Sequence, residues 1–386
     1  MLRIGEKEVE AVRKVVRAGK PFRYLGGSQC ARFERRFAKY IGVKHVVQTS
    51  SGTAALVAAL MSFDIGPGDE VLVPAQTFMA TAVSVLAVGA IPVIVDIEES
   101  IGIDPEAIDD AVGPRTRAVI PCHMWGLSCD MRGIMRVARK RKLLVIEDTC
   151  QAVGGGYEGK MLGSIGHAGA FSFNYYKNMT CGEGGAVVAN STRIQKRLLC
   201  AVACCRFYWT GRDKDFRGFV CNTSRPSEFE GAILNVQLDR LPAMIRTMRQ
   251  QKKRILKETA GVVKAAPVHS IDWECGLTNV FQFESPDKAD RFAGLAGGTV
   301  LGKTGRHVYT EWDPILNHQG AHHPALNPYK LPQNKRCRKK YTMDMCSRSL
   351  DILGRSVAVG NHPDRKANDV TRLIRRIKAA ARRLAD

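Results

Sequence analysis

No run in the 386-residue chain approaches 18 uncharged apolar residues, so no membrane-spanning helix is expected. Residues 1–10 alternate in charge and lack the apolar core of a signal peptide, which leads to the expectation of a soluble, cytoplasmic protein. Paired C-x-x-C arrangements are missing. The closest group of cysteines, Cys200, Cys204, Cys205 and Cys221, has no such pair, so neither a disulfide framework nor a cysteine-based metal centre is expected. Cys122, His123 and Cys129 have no second pair at metal-ligand spacing, and no metal is expected there. Internal repeats and low-complexity segments are also missing. Acidic residues are in deficit, 37 Asp and Glu against 58 Lys and Arg, for a net charge of +21. The basic runs, such as Arg249 to Arg254 and Arg372 to Arg383, are dispersed among expected helices. With no basic tail, helix-turn-helix or zinc-finger signature beside them, they give no ground beyond charge for a nucleic-acid partner. An anionic substrate or counterions account for the excess equally well.

What is present is a chain with 45% hydrophobic residues, enough for a substantial core and two domains. The expected division is a large domain over 1–244 and a smaller one over 245–386. Amphipathic helices are expected over 5–19 and 30–40. Strands at 43–48, 71–74, 92–95 and 118–121 alternate with helices at 54–63, 77–88 and 131–139, which predicts a mostly parallel sheet covered on both faces. The turn Thr49 to Thr53 links a strand to a helix, and small hydroxyl residues there suit an anion held by backbone N–H groups, with Ser51 and Thr53 adding donors. Such a turn is also an ordinary helix cap. Phe78, just past a strand end, could stack on a flat ring or simply fill the core. Asp148 ends the run Leu143 to Ile146, at the carboxyl end of a parallel strand where open α/β sheets carry ligand groups. A carboxylate buried there calls for a cationic or protonated partner. Lys177 lies between two apolar strands (170–173 and 185–189). That placement predicts low exposure, a lowered ammonium pKa and the reactivity of a Schiff-base lysine.

Beyond the lysine, a helix is expected over 192–205, followed by an irregular aromatic segment over 207–224, suited to a lid or a subunit contact. Two helices follow, over 227–240 and 245–262, the second leading into the small domain. That domain is expected to hold a strand near 278–284, a helix over 287–293, a Pro- and His-rich loop over 312–332 and a final helix over 364–384.

Five segments occur together: Thr49 to Leu56, Pro74 to Thr81, Ile146 to Ala152, Phe171 to Phe173 with Lys177, and Gly182 to Gly185. In their order and spacing the chain resembles the DegT/DnrJ/EryC1/StrS sugar aminotransferases, fold-type I pyridoxal-phosphate enzymes, over nearly its whole length. The resemblance implies an α/β fold, a three-layer mostly parallel sheet with a smaller C-terminal α+β domain, and pyridoxal 5'-phosphate as cofactor. It makes Lys177 the residue that bonds the cofactor and Asp148 the partner of the pyridine nitrogen. Gln151 would lie near the ring hydroxyl, Phe78 on the ring face, and Gly52, Thr53 and Ser172 at the phosphate. It implies a homodimer with composite sites. The family's asparagine that reaches the partner's phosphate is displaced here: Thr223 holds its place and Asn222 precedes it.

The resemblance further implies glutamine or glutamate as donor and a keto-sugar or keto-cyclitol as acceptor. The segment from Tyr309 to Tyr329 looks like the substrate-facing loop of the cyclitol and amino-octulosonate subgroup, with Tyr309, His318, His322 and His323 as substrate contacts. An incidental surface loop is the plainer alternative for any one of these histidines. A second reading keeps the fold and cofactor but assigns a dehydration, replacement or decarboxylation in natural-product biosynthesis.

Overall fold

The computed structural model describes residues 4–384. The chain begins α1 (Glu6–Ala18), α2 (Gln29–Ile41), β1 (His45–Thr49), α3 (Gly52–Ser62), β2 (Glu70–Pro74), α4 (Ala80–Ala87) and β3 (Ile91–Val95). It continues α5 (Pro105–Ala111), β4 (Thr116–Val119), α6 (Met131–Arg141) and β5 (Leu144–Asp148). A short hairpin, β6 (Gly156–Tyr157) and β7 (Lys160–Met161), precedes β8 (Ala168–Ser172), β9 (Gly185–Ala189), α7 (Thr192–Val202), α8 (Phe207–Thr210) and α9 (Glu228–Thr259). The last part holds β10 (Thr278–Gln282), α10 (Pro286–Ala296), β11 (Thr299–Val300), α11 (Asp313–Leu316), α12 (Ser347–Gly354), β12 (Ser356–Gly360) and α13 (Ala367–Arg382).

Seven strands form one sheet in the order β1-β9-β8-β5-β4-β2-β3. Only β9 runs against its neighbours; β8, β5, β4, β2 and β3 pair in parallel. Side chains alternate across the pleat and so feed two separate cores. Val47, Val71, Val73, Ile94, Ile146 and Val187 pack with α3, α4 and α7 on one face. Val46, Leu72, Val93, Val145, Phe171 and Val188 pack with α2, α6 and α9 on the other. A helix layer on each face of a mostly parallel sheet is the expected three-layer arrangement. A smaller antiparallel sheet, β10-β12-β11, lies against α10 and α13 around Phe281, Phe292, Leu373 and Ile377.

One helix stands where two were expected. α9 runs unbroken for 32 residues through Pro242. A proline inside a helix removes one N–H bond and costs about 3 kcal/mol. Here Leu234, Leu238, Leu241, Ile245 and Met248, spaced three or four apart, are all buried on the sheet, and their packing offsets the loss. The division expected between 244 and 245 therefore falls inside this helix. Further along it, Lys252 pairs with Glu274, both side chains almost fully buried. The same carboxylate accepts from the Ser128 N–H at 3.3 Å, tying α9 to the loop after β4.

Glu147, next to the end of β5, fixes the approach to β8. Its oxygens accept the N–H groups of Gly163 (2.8 Å), Ile165 (2.7 Å) and Gly166 (2.6 Å). The buried His123 ring accepts the Cys129 N–H on Nδ1 at 3.2 Å, which leaves the proton on Nε2 to donate to Glu147 at 3.3 Å. No helix among the described residues is long and apolar enough to cross a membrane.

Candidate active site

The carboxyl ends of β2, β5 and β8, together with the start of α3, open into one cleft of about 780 Å³. Asp148, the last residue of β5, is 4% exposed there. Its Oδ2 accepts from the Thr81 hydroxyl at 2.8 Å, and its Oδ1 accepts the Cys150 N–H at 3.1 Å. Thr81 is itself held by Thr77, oxygen to oxygen at 2.7 Å. These are neutral donors, and among the described residues no cation pairs with this carboxylate. A buried carboxylate in that condition leaves room for a protonated group from outside the chain. The thiols beside it are pushed well up, Cys122 and Cys150 alike, first by burial and then by the Asp148 charge.

At the other end of the cleft Ser51 caps α3, its hydroxyl oxygen accepting the Ala54 N–H at 3.1 Å. The N–H groups of Gly52 and Thr53 lie in the first turn, where a helix has no internal acceptor for them and favours an anion. Gly52 is under tight steric constraint. A Cβ on it would stand 2.7 Å from the Ser172 Cβ and 2.8 Å from the Cys150 sulfur. We expect Gly52→Ala to push this turn away from Ser172 and to weaken capture of a phosphorylated cofactor by about tenfold or more, a change of roughly 1.4 kcal/mol. A spectroscopic titration of the apoprotein reads that loss, and unchanged affinity contradicts the cradle.

Lys177 lines the same cleft from the loop between β8 and β9. The expected low exposure is corrected: the side chain is half-buried, because residues 173–184 leave the sheet edge as a loop rather than holding the lysine between strands. Phe78 lies past β2, lines the cleft and is 47% exposed, which suits an aromatic ring that stacks on a ligand. The Gln151 side-chain oxygen accepts the Trp125 N–H at 3.4 Å, and Ser172 is 6% exposed at the end of β8. Gly52, Thr53, Phe78, Asp148, Gln151, Ser172 and Lys177 are thus brought together.

The remaining expected residues are elsewhere. Asn222 and Thr223 are exposed and line no part of this chain's cleft, although the neighbouring Ser224 carbonyl accepts the Ser50 N–H at 2.7 Å. Tyr309 is completely buried, its hydroxyl donating to the Met343 carbonyl at 2.6 Å. His318 is exposed, its Nε2 bonded to the Lys339 carbonyl at 2.6 Å. His322 and His323 are exposed as well, and the His323 Nδ1 accepts the Ala325 N–H at 3.2 Å. None of these four lines the cleft. The physical reason lies in one backbone contact: the Tyr309 N–H donates to the Ala75 carbonyl at 2.9 Å, which turns the phenol into the core. The histidine loop then folds as short turns over the surface.

The same contact brings in residues that the sequence reading did not single out. Arg306 and His307 line the same cleft as Lys177 and Phe78. His307 is 9% exposed, with its ring centroid 5.4 Å from that of Trp125 and 6.3 Å from that of Phe78. Burial, together with the nearby Arg306 and Lys177 charges, lowers its pKa to about 4, so the imidazole is neutral near pH 7.

Residues 2–285 match the model of the DegT/DnrJ/EryC1/StrS aminotransferase family. The spore coat polysaccharide biosynthesis protein SpsC of Bacillus subtilis is 42% identical over 197 residues, 50% of this chain and 50% of that protein. An L-glutamine:2-deoxy-scyllo-inosose aminotransferase of Streptoalloteichus tenebrarius is 34% identical over 306 residues, 76% of this chain and 71% of that protein. The chain spans about half the length of SpsC and of another curated relative that it matches. The aminotransferase from Psychrobacter cryohalolentis has the same fold, with a TM-score of 0.81 at 24% identity over 100% of this chain and 98% of that one. Matched in this way along most of its sequence and throughout its fold, the chain belongs to the DegT/DnrJ/EryC1/StrS aminotransferase family, on the scaffold of fold-type I pyridoxal-phosphate enzymes.

Proposed function

We propose that this protein is a pyridoxal-phosphate-dependent aminotransferase that moves an amino group from glutamine or glutamate to a keto-sugar or keto-cyclitol. The observation that carries the reading is a buried carboxylate without a cation, Asp148, sharing one cleft with Lys177 and with the Gly52 cradle. The residues present fit the cofactor. A protonated ring nitrogen answers the need of Asp148, the free N–H groups of Gly52 and Thr53 with the Ser172 hydroxyl suit a phosphate, and the exposed Phe78 suits a flat ring.

When bound, pyridoxal phosphate supplies the electron sink for charge developing at the carbon that loses its proton. Lys177 would hold the cofactor through Nζ. Its Nζ would also take the α-proton of the donor and give a proton back, serving as base and acid in turn. Asp148 would keep the proton on the ring nitrogen, with Thr81 and the Cys150 N–H fixing the direction of its oxygens. Gln151 would meet the ring hydroxyl. We place the protein in the cytoplasm as a homodimer of 1–244 and 245–386 domains, in which the exposed Asn222 or Thr223 reaches the partner's phosphate.

The cyclitol aminotransferase named above, matched over 76% of this chain, supports a keto-cyclitol acceptor. The test uses purified protein loaded with the cofactor and given glutamine or glutamate. Mass spectrometry then compares keto-cyclitols with nucleotide-linked keto-sugars. We expect amination within one of these two panels; donor consumption with no aminated product in either would reject the reading.

A further inference from the structure

We propose that Cys204 and Cys221 form a reversible thiol–disulfide site, oxidised by a low-molecular-weight disulfide, and that closing it loosens the phosphate cradle at Gly52. The thiol site stands on its own geometry. Its effect on the cofactor rests on the aminotransferase reading, in which Gly52 holds the phosphate. Two stretches of chain meet at the site. α7 ends at Val202, and residues 219–224 return against that end. The Ser224 N–H donates to the Val202 carbonyl at 2.9 Å, and the Phe219 N–H to the Cys200 sulfur at 3.3 Å. Three thiols sit in this seam. The Cys204 sulfur lies 3.5 Å from the Cys221 carbonyl oxygen, and the Cys221 thiol donates to the Cys200 carbonyl at 3.1 Å. The Cys200 thiol donates to the Phe219 carbonyl at 3.2 Å. A fourth, Cys205, has its sulfur 3.8 Å from that of Cys204.

The four free thiols are not equivalent. Cys200 is buried, Cys204 and Cys221 are half-buried, and Cys205 is exposed. Only Cys204 among them has a lowered pKa, first through its hydrogen bond with the Cys221 backbone. Burial raises Cys200 and pushes Cys221 up to about 11, while the Cys204 thiol raises Cys205. Cys204 therefore holds the largest share of thiolate and attacks first. Its thiolate bonds one sulfur of the external disulfide and releases the other as a thiol. Cys221 then gives up its proton and displaces the second thiol. Two electrons pass from the two cysteines to the external disulfide, and the bond formed joins their Sγ atoms. Cys205 is close as well, but adjacent Cα atoms stand about 3.8 Å apart, short of the roughly 4.4–6.8 Å that disulfides span.

The consequence runs through Ser224. Its carbonyl accepts the Ser50 N–H at 2.7 Å, and Ser50 precedes the Ser51 cap and Gly52. An S–S bond of about 2.05 Å is shorter than any contact between free sulfurs, so closure draws residue 221 toward 204. Residues 222–224 move with it, and the turn that Ser50 begins loses its support.

The test compares reduced holoprotein with holoprotein incubated with oxidised glutathione. Remaining thiols are alkylated, and a digest made without reduction is mapped by mass spectrometry. We expect a peptide bearing Cys204 joined to one bearing Cys221, in protein that runs as a monomer on a denaturing gel, and reversal by dithiothreitol. Cys205→Ser should still form this link, whereas Cys204→Ser and Cys221→Ser should not. In equilibrium dialysis the oxidised protein should bind pyridoxal phosphate about tenfold more weakly than the reduced, the loss that one hydrogen bond to a charged group produces. Cys204→Ser should bind like reduced wild type under both conditions. A glutathione adduct that persists on Cys204, or a link confined to Cys204 and Cys205, overturns the pairing. A closed disulfide with unchanged cofactor affinity overturns the coupling. Reduced protein that binds no cofactor rejects the aminotransferase reading instead, and the peptide map still decides the thiol site.

Discussion

We expect Lys177→Ala to abolish both the visible absorbance of the loaded protein and amino transfer, and to leave the fold intact. The side chain is half-buried in a loop between β8 and β9 and makes no side-chain hydrogen bond on which the sheet depends. Its removal should therefore change stability by no more than about 0.5 kcal/mol, the ordinary range for such sites. The chemical loss is much larger. The same amine bonds the cofactor and moves the proton, and general acid–base catalysis alone contributes about 10²–10⁴-fold. Absorbance spectra, turnover and thermal melting of the variant beside the wild type separate the two effects. A variant that keeps the band, or that keeps more than a few per cent of the turnover, contradicts the assignment.

Asp148→Asn has the second largest expected effect, and its direction on stability is opposite to that of most active-site changes in a buried position. Asparagine has nearly the same shape. Its oxygen can still accept the Cys150 N–H, and its amide can face the Thr81 oxygen, whose own proton can turn toward Thr77. The site keeps its geometry and loses only a charge that no cation balances, so the apoprotein should be at least as stable as the wild type. With the cofactor bound, the variant can no longer hold a proton on the ring nitrogen. Removing one preorganised electrostatic contact of this kind costs about 10²–10³ in turnover. We expect cofactor to be retained and turnover to fall in that range. Near-normal turnover contradicts the role of Asp148.

The two residues at the centre of these predictions were legible in the sequence because each belongs to a local pattern. Asp148 closes an apolar run that can only be a buried strand, and Lys177 stands within a short interval of two others. The βα alternation likewise announced a covered parallel sheet. What the pattern could not convey was direction and distance. Tyr309 and the histidines at 318, 322 and 323 are the right residue types for a sugar site, yet one antiparallel contact between Val308 and Gln76 turns Tyr309 inward and carries the histidines away. The same contact delivers Arg306 and His307, which follow no periodic signal and lie far along the chain from the strand they meet. The break expected between 240 and 245 fails for a related reason: buried contacts along α9, which only the folded sheet supplies, carry the helix through Pro242.

Ion pairing leaves the basic excess untouched, since each pair uses one acid for one base. Many of the arginines and lysines pair with acids on the surface, as Arg132 does with Glu158 and Lys303 with Asp290. Such exposed pairs contribute little, about 0–1 kcal/mol each.

The most direct test of the central claim is chemical. Protein loaded with pyridoxal 5'-phosphate is reduced with borohydride, digested and mapped by mass spectrometry, so that any imine between a lysine and the cofactor is fixed as a stable adduct. The account predicts one modified peptide, with the phosphopyridoxyl mass on the amine at position 177. An adduct spread over surface lysines, or an unmodified peptide at that position, contradicts it.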